Sequence, residues 1–499
     1  MKIIKTHELT PTSLRSQAER DWVYNGLDCC VTAEVLSTLL PQLDNLSAST
    51  YAFSRALQGP VLEMRLRGVR IDTARKSEVV DTYFYTLDKL ERNLERIVLD
   101  GIGLPHFNWQ STKDLRELFY DYLGIPPIRK AGRPTVNRDA LEKIEVYTYA
   151  RQLVAHIKSM RDIGKKIGML KTEIDPDGRI RTSYNIAGTT TGRFSSSFSE
   201  FGTGTNLQNI EELLRSIFIA DKGQKLAYID AEQGESRVVG AIEWNLFKDG
   251  RYLDACESGD LHTSVSKMCE PGLAWTGNLQ RDREIAERPY YRHYDLRKLC
   301  KSIGHGTNYG GMPPTLNRLY KIPIPLITDF QSKYFTAFPA HRQWHEVVEE
   351  TLWRDGHLVS LTGRRRWFFG RRNDQEVIRE AIAFDPQCSL GDILNQGMLQ
   401  VWRERDAIVL MQIHDAIIIQ YPEKREDEII PKILKQITYP IELSHGRTLT
   451  IPYGCQTGWN WGKASKDNPD GLKAYEPSDK RKRQAEVALM DRVIRRTHV

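Results

Sequence analysis

Residues 225–237 read KLAYIDAEQGESR, and they decide the fold. An apolar stretch of strand character carries Asp230 to its end, and the chain then turns into a helix expected to begin near Glu232. A carboxylate in that place can face a cleft. Working outward, residues 409–421 read VLMQIHDAIIIQY, two runs that alternate like a β-hairpin, should be buried strands, and set Asp415 at its tip beside His414. Either aspartate alone is as readily a turn or cap residue. Together, two carboxylates at strand ends suit a hard divalent ion, which takes oxygen ligands and leaves positions for water and substrate phosphates. Two such ions about 4 Å apart activate an attacking oxygen and stabilise a leaving one.

Between these stretches lies a third, DLRKLCKSIGHGTNYGG at 295–311, in a middle region expected to be helical and basic from 280 to 301. Arg297, Lys301, His305 and Tyr309 recur every four residues and so share one helix stripe. The stripe reads either as a solvated basic face or as a cradle in which cations meet a triphosphate and rings stack on its sugar or base. Upstream, YNIAGTTTGRFSSSFSEFGTGTNLQNI at 184–210 is rich in Gly, Ser and Thr, too polar for a core and too long for an ordinary turn, and reads as a working loop.

The rest of the composition narrows the class. At 499 residues, a rough 150 per domain predicts about three units. Lysine and arginine (71) exceed aspartate and glutamate (65) by six, which permits a polyanionic partner. No apolar run approaches the roughly 20 residues of a membrane span. Seven cysteines without a metal-type pair fit reduced thiols, and MKIIKTHELT at the start lacks a secretory h-region, so the expected compartment is the cytoplasm. Residues 76–100 predict a long amphipathic helix, and Ser111 or Thr112 can cap a helix with Leu115, Leu118 and Phe119 inward.

These stretches resemble the motifs of family A DNA polymerases. DAEQGESR resembles motif A, RKLCKSIGHGTNYG motif B and QIHDA motif C; TTTGRFSSS and NLQNI resemble the segment before motif A, and FNWQSTKDL, LTGRRRWF and IPYGCQTGWNWGKA extend the likeness over roughly residues 60–464. The resemblance implies an α+β right-hand polymerase fold: a remnant of the exonuclease domain's last helix at 1–60, a thumb at 61–180, a palm with an antiparallel sheet at 181–250 and 331–464, fingers at 251–330, and a basic tail at 465–499. It also implies the chemistry. Asp230 and Asp415 would hold two magnesium ions, and Lys301 and Arg297 would bind the incoming deoxynucleoside triphosphate, with Lys301 acting in catalysis. His305, Tyr309 and Gln233 would adjoin the nucleotide. Glu235 would be the steric gate against a 2′-hydroxyl. Arg193, Arg379, Gln387 and His414 would touch primer–template DNA.

Departures accompany the likeness. Ala416 stands where motif C usually has a second acid, His305 where motif B is commonly Phe or Tyr, and Ala383 where an Asn is usual. DWVYNGLDCCVTAEVL at 21–36 resembles the last 3′–5′ exonuclease motif through Tyr24 and Asp28, without recognisable partner carboxylates. Asp28 is then either a structural cap or part of a site completed by a second polypeptide, and this chain alone should not proofread. The expected enzyme is a template-directed DNA polymerase, of bacteriophage type, with a separate exonuclease subunit or processivity factor as candidate partners. A catalytically idle DNA-binding subunit is the alternative. The KRKRQAEVALMDRVIRR segment at 480–496 reads either as a tail that binds phosphates or as a partner-docking helix.

Overall fold

The computed structural model describes residues 16–104, 106–200 and 202–477; the segment at 480–496 lies outside them. A five-stranded antiparallel sheet organises the middle of the molecule. Its strands are β1 (Gln224–Ala231), β2 (Ile408–Ile413), β3 (Ala416–Pro422), β4 (Tyr453–Gly458) and β5 (Lys473–Ala474), in the spatial order β2-β3-β1-β4-β5. β1 is therefore central, paired along its length with β3, so that Asp230 stands opposite Ala416. The likeness of β2 and β3 to an alternating hairpin is only partial, because both of their faces are buried. Ile417 and Ile419 point into one core with Leu394 and Met398, whereas Ile418 packs with Met411 and Ile413 into another on the opposite face. A sheet covered on both sides needs apolar residues on both sides, which removes the alternation.

Helices frame the sheet. In chain order these include α1 (Gln17–Leu39), α2 (Thr73–Arg96), α3 (Arg151–Leu170), α4 (Gly234–Phe247), α5 (Leu296–Asn308) and α6 (Gln375–Glu404). α2 and α3 pack together, and beyond them Ser111 caps the helix Thr112–Arg116, whose neighbours Leu115, Leu118 and Phe119 are fully buried as expected. α4 begins at Gly234, close to the expected start near Glu232, after Gln233 takes a left-handed conformation (φ 54°). The basic stretch 280–301 is not one helix. Leu279–Ala286 ends in a short hairpin, Pro289–Tyr291 with Tyr294–Asp295, and α5 follows with Asp295 as its cap. The polar loop 184–210 contains a hairpin too, Ser183–Asn185 with Ser195–Ser197, and buries Phe194, Leu207 and Ile210.

The two ends differ from expectation. Residues 465–477, expected as the start of a tail, turn back so that β5 pairs with β4 and Leu472 is buried. α1, which carries Tyr24 and Asp28, has a complete capping box at Ser16 and Glu19 but buries none of its residues. Among the described residues no helix is long and apolar enough to cross a membrane.

The sheet's two-sided burial sets the cost of trimming it. Ile417→Ala should lower stability by about 2–5 kcal/mol, the range for a fully buried aliphatic side chain, whereas Val31→Ala on exposed α1 should stay within about 0.5 kcal/mol. Urea midpoints of the two variants against the parent check this; equal losses would contradict the burial pattern.

Candidate active site

The site is built by β1, the β2–β3 turn and α5. Asp230 is the penultimate residue of β1, and Asp415 occupies the turn between β2 and β3, where its carbonyl accepts a hydrogen bond from the Ala231 backbone (3.0 Å). That bond extends the β1–β3 ladder by one step and brings the two carboxylates to the same sheet end. The turn is tied down from beneath. Gln412 donates to the His414 carbonyl (2.7 Å), while Gln208 donates to the Gln412 side chain (2.9 Å) and Tyr184 to its carbonyl (3.2 Å). His414 itself is left-handed (φ 51°) and exposed.

Electrostatics mark the pair. Asp230 is open to solvent at the cleft mouth, yet the loss of hydration against the cleft wall, followed by repulsion from Asp415, pushes its carboxyl up to about 6. Asp415 is raised by burial in spite of Arg193. Two hard oxygen donors that disfavour each other's charge fit a divalent cation, which relieves the repulsion and has the ligand type that magnesium prefers. Ala416 is fully buried opposite Asp230 and offers no ligand.

Facing the carboxylates is a cavity of about 220 Å³ whose lining includes Gln233, Glu235, His262, Lys301, His305 and Asp415. The Gln233 Oε1 is buried without a hydrogen-bond partner among the described residues. Lys301 is exposed to the cleft and makes no ion pair among those residues. Arg297, expected at the triphosphate, is held by Asp260 in a bidentate pair (2.9 and 3.0 Å). Tyr309 also departs from the helical stripe: α5 ends at Asn308, and Tyr309 is its C-cap. From there its hydroxyl bonds Glu235, and its ring meets His305 edge-on at 5.1 Å. Burial, then the Glu235 charge, raises the Tyr309 hydroxyl well above its usual range.

The residues expected at DNA fall in different places. Arg193 is engaged within the site, donating to Glu235 (2.6 Å) and Asp415 (3.0 Å). Burial works against its charge, but Asp415 and Glu235 outweigh burial and raise it. Arg379 and Gln387 both lie on α6; Arg379 is exposed, with its Cγ 3.8 Å from where a Cβ on Gly310 would be. Arg237 is buried and donates to the Cys256 carbonyl, a structural role.

Sequence reading missed two contributors. His262 sits in the first turn of Leu261–Cys269, capped by Asp260, and burial, then Arg297 and Lys301, lower it to about 4. The cap signature Asp260 before an apolar run was the available signal. The second is a pair of half-buried Arg364 with buried Asp392 (2.8 Å), whose guanidinium presses on Gly192 where a Cβ would sit 2.6 Å from Arg364 Nε. It seats the turn that presents Arg193.

Comparisons with known proteins identify the family and the fold. The model of the family described as DNA polymerase family A matches residues 78–463. The chain is 28% identical over 435 residues to the thermostable DNA polymerase I of Thermus aquaticus, covering 81% of this chain and 47% of that protein. It is 27% identical over 429 residues to DNA polymerase I of Helicobacter pylori, covering 80% and 43%. It thus spans about half the length of the curated relatives it matches. A solved structure, the POL domain of Pol1 from M. smegmatis in complex with DNA primer–template and dNTP, superposes with a TM-score of 0.72 at 22% identity, over 90% of this chain and 76% of that one. That likeness establishes the right-hand fold.

The raised Asp230 has a testable sign. Its folded form binds a proton more tightly than the unfolded chain does, so it costs stability as pH rises from about 4 to about 6 and the full cost persists above. In chelator, Asp230→Asn should therefore be more stable than the parent at pH 7.5, with the difference vanishing below about pH 4. Thermal melts across that range decide it; a variant less stable at pH 7.5 would refute the repulsion.

Proposed function

The chain belongs to DNA polymerase family A, and we propose that it is a template-directed DNA polymerase that adds deoxynucleotides to a primer 3′ end. One observation carries the reading: paired strands bring Asp230 and Asp415 to one sheet end, where Asp415 lines a cleft with Lys301 and His305 of α5. Under it, residues 61–180 form the thumb, 181–250 and 331–464 the palm, and 251–330 the fingers. Primer–template DNA and deoxynucleoside triphosphates are the substrates.

Phosphoryl transfer needs positioning and charge complementarity more than a protein nucleophile. Asp230 and Asp415 would hold two magnesium ions, which supply charge to the attacking and leaving oxygens. The remaining work falls to the chain. Lys301, facing the cavity without an ion pair among the described residues, meets the triphosphate, and His262, kept neutral by its surroundings, donates a hydrogen bond without adding charge. Arg297 contributes while its fork is held by Asp260. Glu235 is gripped by Arg193 and Tyr309, a rigid wall where a 2′-hydroxyl would project. Arg379, Gln387 and His414 face the primer–template. Gln233 lines the nucleotide cavity.

Tyr24 and Asp28 stand on solvent-facing α1, a placement open to a separate exonuclease subunit or processivity factor. The bacteriophage setting rests on the lack of recognisable exonuclease partner carboxylates and on the basic tail with its run at 480–483; the relatives named above are bacterial.

Three outcomes test the reading. Asp230→Ala and Asp415→Ala should each lower primer extension by more than about a thousandfold while primer–template affinity, which rests on phosphate contacts, changes little. Near-parental extension by either variant would sink the assignment. Glu235→Ala should raise ribonucleotide incorporation in competition with deoxynucleotides, and an unchanged ratio would remove Glu235 from the gate. A mismatched primer terminus incubated with magnesium and no nucleotides should stay full length; trimming abolished by Asp28→Ala would show that this chain proofreads.

A further inference from the structure

A second concave site lies one loop away from the cleft. The hairpin His357–Val359 with Arg365–Trp367 runs into 368–374, a segment that joins α6, and between them and Thr190 is a cavity of about 390 Å³. Its most prominent walls are Trp367 and Phe369. Phe369 is 95% exposed and Trp367 54% exposed, with one tilted contact to His357 at 4.5 Å. Two neighbouring large rings left in water are costly unless something covers them. Thr190 in its lining stands three residues before Arg193, which belongs to the site already described.

Charge identifies the occupant. Arg365 and Arg366 in the wall are already paired, to Asp44 (2.8 Å) and Glu380 (2.5 Å). Arg371, exposed and two residues after Phe369 in the chain, has no ion pair among the described residues, and Arg372 donates to the Trp353 carbonyl (2.6 Å). Open aromatic faces beside an uncompensated guanidinium are the combination that holds single-stranded nucleic acid, with bases on the rings and phosphate on the cation. An apolar protein partner would have no use for the free arginine.

We infer that Trp367 and Phe369 form a stacking site for an unpaired base of the template strand, with Arg371 meeting its phosphate. The assignment rests on the polymerase reading above and specifies where the template runs before it is copied. A base in this site is sensed by its π-face, so the site is indifferent to sequence.

The experiment compares three ligands by fluorescence anisotropy with the full chain: a blunt duplex, a primer–template with a 5′ overhang, and the same overhang made abasic. The parent should bind the base-bearing overhang about tenfold tighter than the abasic one. The Trp367→Ala, Phe369→Ala double variant should lose that preference and keep blunt-duplex affinity, while Trp367→Phe, Phe369→Tyr should retain it. Arg371→Gln should weaken both overhangs alike. A preference that survives the double alanine variant, or is missing from the parent, overturns the site. Primer extension measured alongside separates the two readings. A parent that prefers bases but extends nothing defeats the polymerase assignment and leaves this site, whereas extension without preference defeats this site alone.

Discussion

Everything at the cleft depends on the pairing of β1 with β3. Because their register sets Asp230 against Ala416 and hands the Ala231 amide to the Asp415 carbonyl, two carboxylates are held at one sheet end whether or not they favour each other's company. They do not, and the structure counters the repulsion by rigidity. The Gln412, Gln208 and Tyr184 hydrogen bonds fix the turn from below, and both faces of the hairpin are packed in separate cores, so the carboxylates cannot relax apart. Arg193 offsets part of the charge. The carboxylate pair proposed to hold a cation is preformed in this way, sacrificing some stability for geometry.

The Arg193 guanidinium is in turn only as well placed as the turn that presents it. Gly192 is left-handed (φ 72°), and the Arg364 side chain fills the space beside it, held by Asp392 from α6. A largely desolvated ion pair of this kind adds little net stability, since desolvation cancels much of the attraction. Its value here is directional: it locks a polar turn, Glu235, Tyr309 and Asp415 into one hydrogen-bonded network.

How much of this could be read from sequence follows from the range of each interaction. Asp230 and Asp415 were legible because a carboxylate at the end of an apolar strand is a local pattern, and Lys301 and His305 because a four-residue repeat is one too. The commitment of Arg297 was not, since Asp260 lies 37 residues away and no local pattern couples them. The end of α5 before Tyr309 was missed for a related reason: a periodic stripe continues in sequence after the helix has stopped. The alternation expected of β2 and β3 failed because burial on the second face comes from distant segments. In the fold, the sheet and the long helices were visible, and the hairpin at 289–295 and strand β5, set by nonlocal pairing, were not.

β5 has a practical consequence. The family likeness fades at about residue 464, which invites trimming the chain there, yet Gln456 and Thr457 of β4 are paired to Ala474 and Lys473. Removing that short cover would leave the backbone amides and carbonyls of a sheet edge open to water, and open edges recruit strands from other molecules. A shortened protein could keep every residue of the cleft and still be lost to aggregation, so sample handling for crystallisation or kinetics has its natural limit beyond Ala474.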